Sequence, residues 1–394
     1  MTELNTKTEQ AVTDQSIQRD VVLFEEIACV GGKIIGIATL NSEKSLNALS
    51  LPMVELLLPQ MQQWKNDNNI ALVVLQGAGD KAFCAGGDIR DLYQAMKAAP
   101  DTYQPYVEDF FTKEYNLDYL IHTFDKPVLV WGNGIVMGGG LGLMAGASHR
   151  IVTATSRIAM PEMAIGLYPD VGGSWFLNRM PEGCGLFLGL TGASINSADA
   201  KLIDLADHFL THDKKAAVLD KLTQVKWGNT IALNHQKLTD LLLGMEDMCR
   251  SQMPPSQIRL HQSSISAVGR ATSLQQAVEL IQAMPNEDTW LTKAKASLQY
   301  GSPITAHIVY RLLELGQSKI LADSFRLELG LSVQCGKLGE FTEGVRALLI
   351  DKDQKPNWRY KTVSDVPADV INQLFHSPWA ADLHPLQHLG SLEH

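Results

Sequence analysis

The chain has 394 residues, 45% of them hydrophobic and 19% charged, which suffices for a large buried core and excludes a disordered chain. Its 43 acidic residues outnumber 33 basic ones, and the net charge of −10 argues against nucleic acid or an anionic membrane as a bulk partner. Five cysteines, widely spaced and with no C-x-x-C pair, argue against a disulfide framework or a zinc site and point to a reducing compartment.

Residues 1–20 are polar and carry both acids and bases. They lack the apolar core of a signal peptide and the acid-poor, Arg-rich character of a transit peptide, so they read as a loose tail on a soluble, cytoplasmic protein. Short apolar, β-branched runs follow at Val21–Ile27, Lys33–Leu40, Ile70–Gln76, Pro127–Trp131 and Arg150–Ala154. Most are bounded by Gly, Asn or Asp and read as strands, with Gly31-Gly32 as a hairpin turn. Leu51, Val54, Leu57, Leu58, Met61 and Trp64 form an apolar stripe at helical spacing, with Ser50 as N-cap and a bend expected at Pro59. Strands alternating with helices give an α/β core over residues 21–212. A helical C-terminal region spans 213–380, broken at Pro254-Pro255 and including an amphipathic helix at Ser318–Cys335. Residues 381–394 read as a tail, and Leu392-Glu393-His394 resembles a tag remnant.

Two glycine clusters carry the chemistry. Phe83-Cys84-Ala85-Gly86-Gly87-Asp88-Ile89 follows the third strand, and Trp131-Gly132-Asn133-Gly134-Ile135-Val136-Met137-Gly138-Gly139-Gly140 follows the fourth. Each lies between a strand and a helix, where free N–H groups unobstructed by a Cβ can approach a ligand oxygen. Two such loops can converge on one developing oxyanion, with each donor worth about 3–4 kcal/mol of barrier. The same glycines also suit tight turns and close helix packing. Gly140-Leu141-Gly142-Leu143-Met144-Ala145 matches the dinucleotide fingerprint, with Glu162 about 20 residues on, but it does not directly follow its strand. G-x-S-x-G, the P-loop pattern and H-E-x-x-H are all absent from the sequence. His122, His149 and His208 stand alone and read as satisfied structural histidines.

The run Met160–Gly173 places Glu162 and Asp170 among apolar neighbours. Desolvation there raises a carboxyl into the range useful for proton transfer. Alternatively, Glu162 complements a helix dipole and Asp170 caps a helix over Gly172–Arg179. Glu114, inside a helical pattern, reads by itself as a solvated acid.

Together the glycine loops, the upstream segment Asn41–Leu49 and Met160-Pro161-Glu162 resemble the crotonase (enoyl-CoA hydratase/isomerase) superfamily. Glu114 within Phe111–Tyr115, the run Met160–Gly173 and the segment Phe341–Asp353 are most similar to its 3-hydroxyisobutyryl-CoA hydrolases. The similarity covers roughly residues 21–375. It implies a crotonase-like spiral of β-β-α units with a helical C-terminal region, and hydrolysis of a short-chain 3-hydroxyacyl-CoA thioester in valine catabolism. It implies that Gly87 and Gly139 donate to the oxyanion, that Glu162 is the catalytic acid and that Asp170 assists. Glu114, Gly139, Glu162, Asp170, Lys44, Leu46, Asp88 and Ile89 are the expected substrate contacts, Lys44 for the CoA phosphates. No metal or organic cofactor is implied, coenzyme A being part of the substrate, and a homo-oligomer is left open. Hydratases of the superfamily carry a second glutamate where this chain has Gly142, which favours thioester hydrolysis over hydration. The competing readings are an enoyl-CoA isomerase or hydratase and a non-catalytic acyl-CoA-binding module.

Overall fold

The computed structural model describes residues 21–286 and 288–391. The expected N-terminal tail and tag remnant lie outside the described residues.

A hairpin opens the fold: β1 (Val22–Ala28) pairs antiparallel with β2 (Ile34–Leu40) around Gly31 and Gly32, both at positive φ. The chain then winds through β3 (Ile70–Gly77), β5 (Val128–Gly132), β7 (His149–Val152) and β9 (His208–Phe209), which extend the sheet in parallel in the order β1-β2-β3-β5-β7-β9. Three short strands, β4 (Ala82–Cys84), β6 (Ile135–Met137) and β8 (Arg157–Ala159), form a second parallel sheet. Three windings of the spiral, β3 with β4, β5 with β6 and β7 with β8, each contribute one strand to each sheet, as the family resemblance implied. Sequence patterning missed the short strands because three residues are too few to display an alternation.

Helices complete each winding. α1 (Leu51–Asn66) begins at Ser50, whose side chain accepts from the Met53 N–H, and continues through Pro59. α2 (Ile89–Ala98) follows the first glycine turn, α3 (Pro105–His122) lies after it, and α4 (Gly139–Ala145) follows the second. The central strands are apolar on both faces because both are covered. On β3, Val73 and Leu75 face the core shared with α1 and α3. Leu72 and Val74 face the opposite side with Ile35, Ile37 and Leu129. That second face is closed by α5 (Lys215–Gln224) and α6 (Ile231–Glu246) through Val218, Leu222, Leu238 and Leu242. The C-terminal helices therefore do not stand apart from the α/β core.

α7 (Pro303–Gly316) and α8 (Leu321–Leu338) both pack on the turn at Gly173–Phe176, with α8 also against α3. α8 is more enclosed than an amphipathic surface helix: Phe325, Glu328, Leu329 and Ser332 are all buried. Residues 381–391 are not a tail. Leu386 and Leu389 are buried, and the Arg326 guanidinium donates to the carbonyls of Leu386, Gln387 and Leu389. Both leucines join the main hydrophobic core, and the Arg326 bonds tie the segment to α8. No helix among the described residues is long and apolar enough to cross a membrane.

Candidate active site

The early loop and the first glycine turn are laced together by backbone bonds. Ala85 N–H donates to Leu46 O at 3.1 Å, Leu49 N–H to Gly86 O at 2.8 Å and Asp88 N–H to Leu49 O at 2.8 Å. Leu46 and Asn47 adopt left-handed backbone. The buried Asn47 amide holds that turn by donating to Ala78 O and Ala82 O, both at 3.0 Å. Gly86, at φ 108°, turns the chain so that Gly87 lies beside the second glycine loop.

That loop turns at Gly138, φ 48°, and Gly139 begins α4. A Cβ on Gly139 would stand 3.5 Å from the Gly87 nitrogen and would collide with Glu114 Oε1. A Cβ on Gly138 would stand 2.8 Å from Glu162 Oε1 and 3.6 Å from Gly86 Cα. The two distant turns and the two carboxyls thus meet around one spot that only glycine leaves open. Neither Gly87 nor Gly139 donates a backbone–backbone hydrogen bond among the described residues.

The three acids are 2% (Glu114), 6% (Glu162) and 4% (Asp170) exposed. Glu114 is not the solvated acid its pattern suggested: α3 is enclosed by α1 and α8, so little of it reaches water. Glu162 opens a short 3-10 turn, and its Oε2 has no hydrogen-bond partner. Burial first, then the Asp170 charge, hold the carboxyls of Glu162 and Glu114 well above the usual carboxylate range. Asp170 is pushed up to about 7 by burial, opposed by the Tyr115 hydroxyl, which donates to its Oδ2 at 2.7 Å.

Asp170 is not a helix cap. The expected helix at Gly172–Arg179 divides into an α-turn at Gly173–Phe176 and a 3-10 turn at Leu177–Arg179. Its free donors are met by Glu328 of α8, which accepts from Gly172 N–H at 2.7 Å, Ser174 N–H at 2.8 Å and the Ser174 hydroxyl at 2.5 Å. Ser332, one turn further on, bonds both the Tyr115 and the Tyr168 hydroxyls. Asp170 is thereby freed to face the other acids.

The linkage of Asp170 to stability has a definite sign. Its folded value of about 7 lies above the ordinary value near 3.9 of an unfolded chain, so the neutral form is favoured in the fold. The stabilisation is complete below about pH 4 and is lost as pH rises through about 7. Thermal melting of the ligand-free protein is therefore expected at lower temperature at pH 8 than at pH 6, and Asp170→Asn should reduce that fall. An undiminished fall in the variant would count against this assignment.

Leu46 and Ile89 also border the site. The Leu46 carbonyl holds Ala85, and Ile89 Cγ2 lies 3.8 Å from the Cβ position of Gly87. Two expected contacts are not brought to the acids. Lys44 stands exposed at the surface of the early loop, and the Asp88 carboxylate is engaged as the N-cap of α2, accepting from Arg90 N–H at 3.4 Å. His122 is not a satisfied histidine: it is half-buried and its buried Nε2 lacks a partner. His149 and His208 do not stand alone either, their rings being stacked 6.1 Å apart.

Asp118, Tyr115, Glu328 and Ser332 were missed by sequence reasoning. The signal for Asp118 was present. Phe110, Phe111, Glu114, Leu117, Asp118 and Ile121 recur at helical spacing, which places both acids on the buried face.

The Gly142 position is closed to side chains. A Cβ there would stand 2.6 Å from Val171 Cβ and 3.1 Å from Asp118 Oδ1. Gly142→Ala is expected to destabilise the protein by about 1–3 kcal/mol in denaturant unfolding, as an overpacked core does. An unchanged midpoint would contradict this contact. The dinucleotide reading also fails on geometry, because the helix carrying Gly140 and Gly142 follows β6 of the small sheet and Glu162 belongs to the acid cluster.

Comparison with known proteins places this geometry in a family. Residues 35–375 match the model described as enoyl-CoA hydratase/isomerase. The chain is 36% identical to the mitochondrial 3-hydroxyisobutyryl-CoA hydrolase of Danio rerio, covering 92% of this chain and 91% of the relative. It is 35% identical to the Xenopus tropicalis protein of the same name, covering 94% and 93%. A crystal structure of an enoyl-CoA hydratase from Rhodobacter sphaeroides superposes with a TM-score of 0.78 at 30% identity, covering 91% of this chain and 98% of that one. These relatives correct the cytoplasmic expectation, since both hydrolases are named as mitochondrial. Reduced cysteines suit any reducing compartment, so their usage could not separate one from another. On the strength of a match over most of its length, with the glycine turns and the buried acids joined in one site, the chain belongs to the enoyl-CoA hydratase/isomerase family.

Proposed function

We propose that this chain hydrolyses 3-hydroxyisobutyryl-CoA to 3-hydroxyisobutyrate and CoA, a step of valine breakdown. The observation that carries the reading is the convergence of the Gly87 and Gly139 turns on a spot flanked by Glu162 and Glu114. In this reading the thioester carbonyl lies between the two amides, which stabilise the oxyanion as it forms. Glu162 acts at the carbonyl carbon, either by attack to give a mixed anhydride or by deprotonating water. Glu114 and Asp170 bind the acyl hydroxyl and orient water. The thiolate of CoA leaves and takes up a proton. The reaction needs no metal or organic cofactor. Lys44, exposed on the early loop, meets the CoA phosphates from the surface.

The hydratase and isomerase alternative is less well served. A hydratase needs a second acid, and position 142 has no room for any side chain beside Val171. Both active forms of Glu162 are ionised, and burial raises its carboxyl, so thiol release should increase as pH rises above the ordinary carboxylate range. The test is to incubate the protein with 3-hydroxyisobutyryl-CoA and follow free thiol with a disulfide reagent, with crotonyl-CoA hydration measured alongside. Rapid hydration without thiol release would overturn the proposal.

A further inference from the structure

Three glycines at 139, 142 and 146 follow one face of α4 and its end, and each meets an ionisable side chain of α3. A Cβ at Gly139 would collide with Glu114 Oε1, one at Gly142 would stand 3.1 Å from Asp118 Oδ1, and one at Gly146 would stand 2.8 Å from His122 Cδ2. Glu114, Asp118 and His122 are spaced four residues apart, so they form one column on α3, and the glycines leave room for it. The middle member is the least explained. Asp118 is fully buried, and both of its carboxyl oxygens lack a hydrogen-bond partner. A structural role would be met better by an apolar residue, because an unpaired buried carboxyl is costly.

The groups facing Asp118 are all acidic, apolar or neutral. Glu114 lies on its own helix, Asp170 on the loop before the Gly173–Phe176 turn and Glu328 on α8, and each raises its carboxyl after burial has done so. Val171 packs against Gly142 beside it, and His122 is kept neutral by burial, its pKa lowered to about 4. With no cation among these groups, two carboxyls one turn apart cannot both ionise at neutral pH without a large cost.

We propose that Asp118 is a positioning residue of the hydrolytic site, its carboxyl lying one turn from Glu114 on the glycine-lined face of α3 and so keeping Glu114 protonated toward the acyl group. The inference rests on the acyl-CoA hydrolase reading for the role of Glu114, but the coupling between the two carboxyls does not. A proton on Glu114 lets it donate to an oxygen of the acyl chain, which an ionised carboxylate cannot do. A negative charge on Asp118 discourages Glu114 from releasing that proton.

The experiment has two arms. In the first, kcat and KM for thiol release are measured from about pH 6 to about pH 9 for the parent and Asp118→Asn. The pH at which KM begins to rise should move down by about one unit in the variant, with the change falling on KM more than on kcat. A folded variant whose KM profile overlies that of the parent overturns the proposal. In the second arm, infrared titration follows the protonated-carboxyl band in the ligand-free protein. Glu114→Gln should lower the pH at which Asp118 ionises, and Asp118→Asn should do the same for Glu114. Titrations unmoved by the partner's loss overturn the proposal even if Asp118→Asn alone misfolds, because Glu114→Gln reports on the same coupling. This arm needs no turnover, so a protein that fails to cleave the thioester, which would sink the functional reading, still decides whether the two carboxyls are coupled.

Discussion

Glu162→Gln should lower thiol release from 3-hydroxyisobutyryl-CoA by at least about 10³-fold. Glutamine matches glutamate in shape, so the packing around Met163 and Leu167 survives. Its amide can neither attack a carbonyl nor accept a proton from water, so both versions of the mechanism lose their reacting group. The fold should not suffer, because the substitution removes an ionisable group that burial and the Asp170 and Glu114 charges already disfavour in its charged form. The melting temperature at pH 8 should therefore be unchanged or higher. A variant as fast as the parent would remove Glu162 from the mechanism. A single turnover in heavy-oxygen water then separates the two chemical routes. Direct attack of water puts the label into the acid product, whereas hydrolysis of an anhydride at the enzyme carbonyl leaves it on Glu162.

The largest effect on stability is expected from Glu328→Ala. Burial pushes this carboxyl up to about 8, while the donors at Gly172 and Ser174 pull it down. Truncation leaves two backbone N–H groups and one hydroxyl buried without an acceptor. Losses on the order of 3–5 kcal/mol follow when a buried charged or multiply bonded partner is deleted. The damage should also reach the site. The Glu328 carboxyl ties Gly172 and Ser174, just after Asp170, to α8, so the loop carrying Asp170 loses that anchor, while the bond from the Tyr168 hydroxyl to the backbone carbonyl of residue 328 remains. Denaturant unfolding measures the first effect, and the KM of the surviving folded fraction measures the second. Glu328→Gln, which retains an accepting oxygen, should lose less than the alanine variant. Equal midpoints for Glu328→Ala and the parent would show that these bonds hold nothing in place.

Much of this was legible in the chain itself. The hairpin at Gly31-Gly32, the first five strands of the large sheet and the capped helix from Leu51 each follow from local chemistry: glycine at positive φ, apolar runs and a serine side chain at a helix start, whereas the two-residue β9 was not visible. The glycine turns and the acid in Met160-Pro161-Glu162 were visible for the same reason, because a close backbone approach demands glycine and an acid in an apolar run invites explanation. The short strands β4, β6 and β8 were not visible, since they exist only through pairing across three windings of the chain.

By itself the sequence determined that this is an α/β chain with two glycine turns and acids placed among apolar residues, because those are properties of neighbouring residues. Only the tertiary structure decided which acids act together. Glu114 and Asp118 are ordinary helix residues until α8 closes over α3, and Asp170 is a plausible cap until Glu328, more than 150 residues away, takes the donors. Charge state and reach depend on what surrounds a carboxyl in space, and that is set by contacts between segments that no local pattern encodes.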